Sequence, residues 1–258
     1  MIPDGLRFRA PASAVITEAL RVQSAAPPRS ALQRLFGMSP LSADAQSWYL
    51  GALGELEVGR ILDRLGDDWH TLHAVPVGSQ GSDIDHVVIG PGGVFTINTK
   101  FHEDAKLWVG SSRLLVNGQK TDHLRNSEFE ATRAAKILSG ATGQTVAVTP
   151  ILAIVAAKSI QIKEKPARVV VLRAGELVRR LERYPSILGP ADIAAVMHVA
   201  VDPTTWSTVE PPAADLTTFT ELREAVGSAR RRRLLWATVG MLVVIGGLLA
   251  VAGAVFWR

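Results

Sequence analysis

The chain has 258 residues, enough for one sizeable domain with appendages, since domains commonly run ~100–200 residues. Hydrophobic residues make up 47% and charged residues 20%, which excludes a wholly disordered or coiled-coil chain, and a mean hydropathy of +0.19 is high for a soluble protein. Cysteine is absent, which removes disulfides, thiolate catalysis and Cys-ligated zinc or iron–sulfur centres together. The formal charge is +4, but residues 1–47 carry +2 and residues 228–258 carry +5, so residues 48–227 carry −3. Whole-domain charge therefore does not announce a nucleic-acid partner.

Residues 1–47 contain Pro3, Pro11, Pro27, Pro28 and Pro40 and lack the basic start and unbroken apolar stretch of a signal peptide. They are expected to form a mobile arm with short helical pieces near 13–23 and 30–36. Residues 47–65 place Leu50, Leu53, Leu56, Ile61, Leu62 and Leu65 at helical spacings, and Gly66 stops that helix. WHTLHAVPV, DIDHVVIG and VFTINTK then read as strands, the last two joined by a turn at Gly90-Pro91-Gly92-Gly93. KLWVG and RLLVNG read as a further hairpin, and a helix follows at about 124–139. VAVTPILAIVAA has the near-continuous apolar character of a central strand covered on both faces. RVVVL and helices at 174–183 and 190–200 complete a domain over 48–201, for which the element order predicts an α/β fold with a mixed sheet flanked by helices.

A segment at 202–216 with Pro203, Pro211 and Pro212 reads as a linker, continued by a basic juxtamembrane segment to residue 233. Leu234 to Trp257 is 24 residues without a charge, roughly 36 Å of helix against a hydrocarbon core of about 30 Å. This predicts one C-terminal transmembrane helix, with Trp236, Phe256 and Trp257 near its ends. Arg230–Arg233 precede it and only Arg258 follows, so the positive-inside rule predicts a single-pass, tail-anchored protein of the cell membrane with its N-terminal domain cytoplasmic. Gly246, Ala250 and Ala254 form a small-residue stripe that points to a homodimer through this helix.

Candidate chemistry gathers on Glu55 in the first helix, Asp83 and Asp85 in the second strand, and Asn98 and Lys100 in the third. Strand period sets Asp83 and Asp85 on one face, opposite Ile84, His86 and Val88, and aligns Asn98 with Lys100. Carboxylates beside buried β-branched residues need a partner, because an isolated charge there costs several kcal/mol. Lys100 either neutralises Asp85 in a structural ion pair or serves a functional site. His70 and His73 would point to opposite faces, His86 reads as a satisfied polar core residue, and His102-Glu103-Asp104 as a solvated loop. No phosphate-binding G-x-x-x-x-G-K-[ST] or G-x-G-x-x-G motif occurs.

Gly51-x-x-Gly54-Glu55, Asp83-Ile84-Asp85-His86-Val87-Val88-Ile89-Gly90 and Gly93-Val94-Phe95-Thr96-Ile97-Asn98-Thr99-Lys100 together resemble the nuclease-related domain over roughly 48–165. That family is regarded as a branch of the PD-(D/E)xK restriction-endonuclease-like superfamily. The resemblance implies a mixed sheet between helices and metal-dependent cleavage of DNA, and RNA is a further candidate substrate. It assigns Asp85, Lys100 and Glu55 as catalytic, and Mg²⁺ or Mn²⁺ to Asp85 and Glu55 with Asn98 and the Thr99 carbonyl. Asn98 departs from the family, where Glu or Gln stands two residues before the lysine, and Asn126-Ser127-Glu128-Phe129-Glu130 replaces an Asn-Pro and a Gln. Two readings follow: a membrane-tethered nuclease, or a catalytically silent domain that binds nucleic acid or a protein near the membrane.

Overall fold

The computed structural model describes residues 5–78, 82–209 and 213–256, with side chains through Leu249. A 3-10 turn at Gly5–Phe8 precedes α1 (Ser13–Ser24), α2 (Ala31–Leu35) and α3 (Ala43–Leu62). Then come β1 (His70–Val77), β2 (Ser82–Gly90), β3 (Gly93–Phe101), β4 (Lys106–Val109), β5 (Leu114–Val116) and β6 (Gln119–Thr121). These lead to α4 (His123–Thr142), β7 (Val148–Val155), β8 (Ser159–Ile162), β9 (Val170–Arg173), α5 (Leu177–Leu181), α6 (Pro190–Ala200), α7 (Pro203–Trp206) and α8 (Leu216–Phe256).

The chain divides into two compact units, one built from residues up to Thr17 with Trp48–Ala214, the other from Glu18–Ser47 with Asp215 onward. In the first, a five-stranded sheet has the order β1-β2-β3-β7-β9, antiparallel from β1 to β3 and parallel from β3 to β9. The β2–β3 turn depends on Gly93, whose φ of 121° is closed to other residues at ordinary cost. One face of the sheet buries Leu72, Val87 and Ile89 against Ala134 and Leu138 of α4 and Val196 of α6. The other buries Val88, Phe95 and Ile97 against Val58 and Ile61 of α3 and Leu177 and Leu181 of α5. β7 is covered on both faces, as its unbroken apolar run requires.

Instead of a single sheet, a second four-stranded sheet forms in the order β6-β5-β4-β8, in which β8 runs parallel to β4. Its own core joins Leu107, Val109 and Leu114 to Leu152 and Val171 of the large sheet. Strict alternation also fails in β2: Ile84 packs with Val87 and Ile89, whereas Val88 packs on the opposite side. The break lies opposite Ala74, whose φ of 45° kinks β1.

The partition differs from the linear one read in the sequence. Leu6 is 1% exposed and its N–H donates to the Val201 carbonyl at 2.8 Å, Ala12 and Ile16 are fully buried, and Arg9 Nε donates to the Ala74 carbonyl at 2.9 Å. Burial of these apolar residues ties residues 5–17 to the sheet. Likewise the expected linker includes α7, whose Trp206 is 3% exposed and donates through Nε1 to the Ala200 carbonyl at 2.9 Å.

In the second unit, the apolar run belongs to a longer helix that continues back through Arg230–Arg233 to Leu216. Its stretch Leu216–Leu249 is long and apolar enough to cross a membrane. Of the small-residue stripe, the Ala250 and Ala254 side chains, like Trp257 and Arg258, lie outside the described residues.

Candidate active site

The site forms where the β2–β3 ladder stops. Pairing runs from Gly90↔Gly93 to His86↔Ile97, and beyond it the Thr99 N–H donates to Asp85 Oδ2 at 2.6 Å. A carboxylate thus satisfies a backbone donor that would otherwise pair in the sheet. β7 runs along the other side of β3, with Thr99 opposite Ala153 and Lys100 opposite Ile154, so the backbone that carries these residues is held rigidly.

Glu55, on the inner face of α3, is 5% exposed, and its Oε2 has no hydrogen-bond partner. Gly54 beside it lets α3 come close to Thr99 and Phe101: an added Cβ would lie 3.2 Å from the side chain of each. Burial first, then the charges of Asp85 and Asp83, push the Glu55 carboxyl well above the usual carboxylate range, while Lys100 opposes this. Burial likewise raises Asp85 against the pull of Lys100 and the Thr99 N–H. Burial and Asp85 push Asp83 up to about 7, opposed by Arg9. Lys100 therefore acts on all these acids through its field, and among the described residues no direct ion pair joins it to them. The structural ion pair considered for Lys100 and Asp85 is not formed.

Asn98, 4% exposed, donates through Nδ2 to Oε1 of Glu130 at 2.7 Å. Glu130 entered the sequence reading only within the Asn126–Glu130 segment that departs from the family, not as a candidate site residue. Burial, then Asp85, push its carboxyl up to about 7, and its Oε2 is buried without a partner. The available signal was positional: Glu130 stands beside Ser127, Ala131 and Ala134, the small-residue buried face of α4. Arg9 was also missed, since nothing in a proline-rich arm marks a residue that reaches a distant site.

The histidines sit at the margins. His73 Nδ1 and His86 Nδ1 are 2.8 Å apart, so one ring donates to the other, and His86 Nε2 is buried without a partner rather than satisfied. Burial depresses the pKa of both. Glu103 and Asp104 are exposed in a turn, as expected of a solvated loop, whereas His102 is half-buried, its Nε2 3.3 Å from Nε2 of His123. Burial, then Lys100, push His123 down to about 4.

The donor set is hard oxygen, with unpartnered buried atoms on Glu55, Asp83 and Glu130, and suits Mg²⁺ or Mn²⁺. Among the described residues no three His, Asp or Glu side chains form a group able to hold one ion. The fit is that of one or two carboxylates completed by substrate phosphates.

A separate groove of about 440 Å³ is lined by Lys165, Arg179, Arg180 and Arg183 with Glu176 as its acid. Its floor includes Leu172 of β9, which pairs with Ala153 of β7, which in turn pairs with Thr99.

No curated protein and no solved structure matches the chain. Residues 50–155 match the family model of the nuclease-related domain, a range that takes in Glu55, Asp85, Asn98, Thr99, Lys100 and Glu130.

Proposed function

We propose that the protein is a membrane-anchored, metal-dependent nuclease that hydrolyses phosphodiester bonds of DNA at the cytoplasmic face. The observation that carries this reading is the convergence of Asp85, fixed by the Thr99 N–H, with the buried Glu55, whose Oε2 has no hydrogen-bond partner, and the field of Lys100, at the opening of the β2–β3 ladder. A divalent cation held by Asp85 and Glu55 would supply charge for the phosphate and acidify the attacking water. The Thr99 N–H aims the Asp85 carboxylate. Lys100 places a compact positive charge where the phosphate gains negative charge in the transition state. The membrane orientation follows from Arg230–Arg233 on the N-terminal side of the span.

The test uses the full chain in detergent with supercoiled plasmid and Mg²⁺ or Mn²⁺. Asp85→Asn and Lys100→Ala are each expected to lower the cleavage rate by about 100-fold or more. Absence of cleavage by the unaltered chain in either metal, or full activity of Asp85→Asn, overturns the reading. A second reading, nucleic-acid binding without cleavage, is favoured by the groove of Lys165, Arg179, Arg180 and Arg183 and by the amide at Asn98. Salt-sensitive DNA binding by a chain that never cleaves, and gain of cleavage in Asn98→Glu, would establish it.

A further inference from the structure

The second unit carries a short element whose surface suits a lipid rather than water. α2 is capped at Ser30, whose Oγ accepts from the Gln33 N–H at 3.2 Å while Gln33 Oε1 accepts from the Ser30 N–H at 2.8 Å. Five helical residues cannot hold their own shape in water. They are held here by α8: Arg232 Nη1 donates to the Arg34 carbonyl at 3.1 Å, and Trp236 Nε1 donates to the Leu35 carbonyl at 2.9 Å. Phe36 packs on the Trp236 ring with centroids 5.3 Å apart. Gly37, with φ of 72°, brings the backbones so close that a Cβ there would lie 2.5 Å from the Ala229 carbonyl oxygen and the Arg233 nitrogen.

Although so firmly docked, the segment leaves Leu32, Leu35, Phe36 and Met38 exposed at 66%, 52%, 50% and 53%. Four large apolar side chains within seven residues are a patch that water does not favour. Its level along α8 identifies what covers it. Trp236 lies two residues past the start of the uncharged run at Leu234, the depth at which a spanning helix meets the headgroups and where Trp is preferred. Residues 29–38 and 229–236 together hold six arginines, Arg29, Arg34 and Arg230–Arg233, and no acid. Apolar side chains continuous with the span, on two segments that carry six arginines and no acid, complement an anionic bilayer surface.

We propose that residues 30–38 are an interfacial foot that inserts Leu32, Leu35, Phe36 and Met38 into the headgroup–acyl boundary of an anionic bilayer, beside the point where α8 enters it. The inference rests on α8 crossing a membrane, and its test separates the two. Because the chain has no cysteine, a single introduced one accepts a spin label uniquely. The full chain is reconstituted in phosphatidylcholine–phosphatidylglycerol vesicles with labels at Leu32→Cys, Met38→Cys or, as the marker of the span, Val244→Cys. None of the three positions makes the bonds that hold the foot to α8. Collision with oxygen and with a water-soluble nickel chelate is read by power saturation. The expected result is oxygen access at positions 32 and 38, at a depth of about 5–10 Å, with position 244 deeper. Nickel access at 32 and 38 with 244 deep overturns the foot and leaves the span standing. Nickel access at all three removes both. Exclusion of both reagents at 32 and 38 marks a protein occupant and overturns the lipid assignment.

Discussion

Asn98 Nδ2 lies 2.7 Å from Glu130 Oε1, so an amide on β3 and an acid on α4 form one unit, with the amide holding one oxygen of the carboxylate and leaving the other bare. Glu130→Gln is expected to weaken Mn²⁺ binding by the full chain by about tenfold or more, measured by the resonance of free Mn²⁺. The exchanged pair Asn98→Glu with Glu130→Gln returns a carboxylate to the site and is expected to recover most of that loss. Unchanged Mn²⁺ affinity in Glu130→Gln would show that this acid only supports β3.

The buried acids also set a pH dependence in metal-free buffer. Asp83 and Glu130 release their protons at about 7 in the folded chain, against ordinary values of 3.8 and 4.5. A raised folded pKa lends stability that is full below the ordinary value and is lost as pH climbs through about 7. The double variant Asp83→Asn with Glu130→Gln is therefore expected to gain stability over the unaltered chain as pH rises from about 5.5 to about 8.5, by a few kcal/mol at most. Thermal unfolding of both chains across that range measures it. A gap that does not widen with pH would contradict the shared burial of these acids.

Arg9 brings a cation from the N-terminal segment to Asp83 and bonds the Ala74 carbonyl where β1 kinks. Arg9→Ala is expected to cost about 1–3 kcal/mol of stability, because it strips a charged donor from a buried carbonyl and a positive charge from a buried acid. Denaturant unfolding reads this loss, and a change below about 0.3 kcal/mol would show the arm to be peripheral.

Replacing Arg179, Arg180 and Arg183 together by Ala is expected to weaken DNA binding and to flatten its salt dependence by up to about three phosphate contacts, a slope change near 2.7. Titrations at several salt concentrations give that slope. An unaltered slope would place the nucleic acid elsewhere on the domain.

Much of the architecture was legible because local patterns settle it: leucine spacing for α3, the Gly90–Gly93 turn for the β2–β3 hairpin, the unbroken apolar run for β7. Which sheet a strand joins is a non-local matter. β8 is four residues long and reaches β4 only because the chain returns past α4, so nothing within SIQI announces a second sheet. The same limit applies to the site. Asp85 and Lys100 lie on neighbouring strands with a marked spacing, whereas Glu130 and Arg9 come from elements whose packing alone delivers them.

The bond from the Thr99 N–H to Asp85 bears on how any substitution at position 85 is interpreted. A side chain cut back to Ala deletes the acceptor of the Thr99 N–H, and the freed donor then needs another partner, which a β2 carbonyl drawn towards β3 would supply. Lost turnover in such a variant would confound a collapsed entrance with missing charge. Asn retains an oxygen at that spot and removes the charge alone, which makes it the cleaner lesion for probing this cleft.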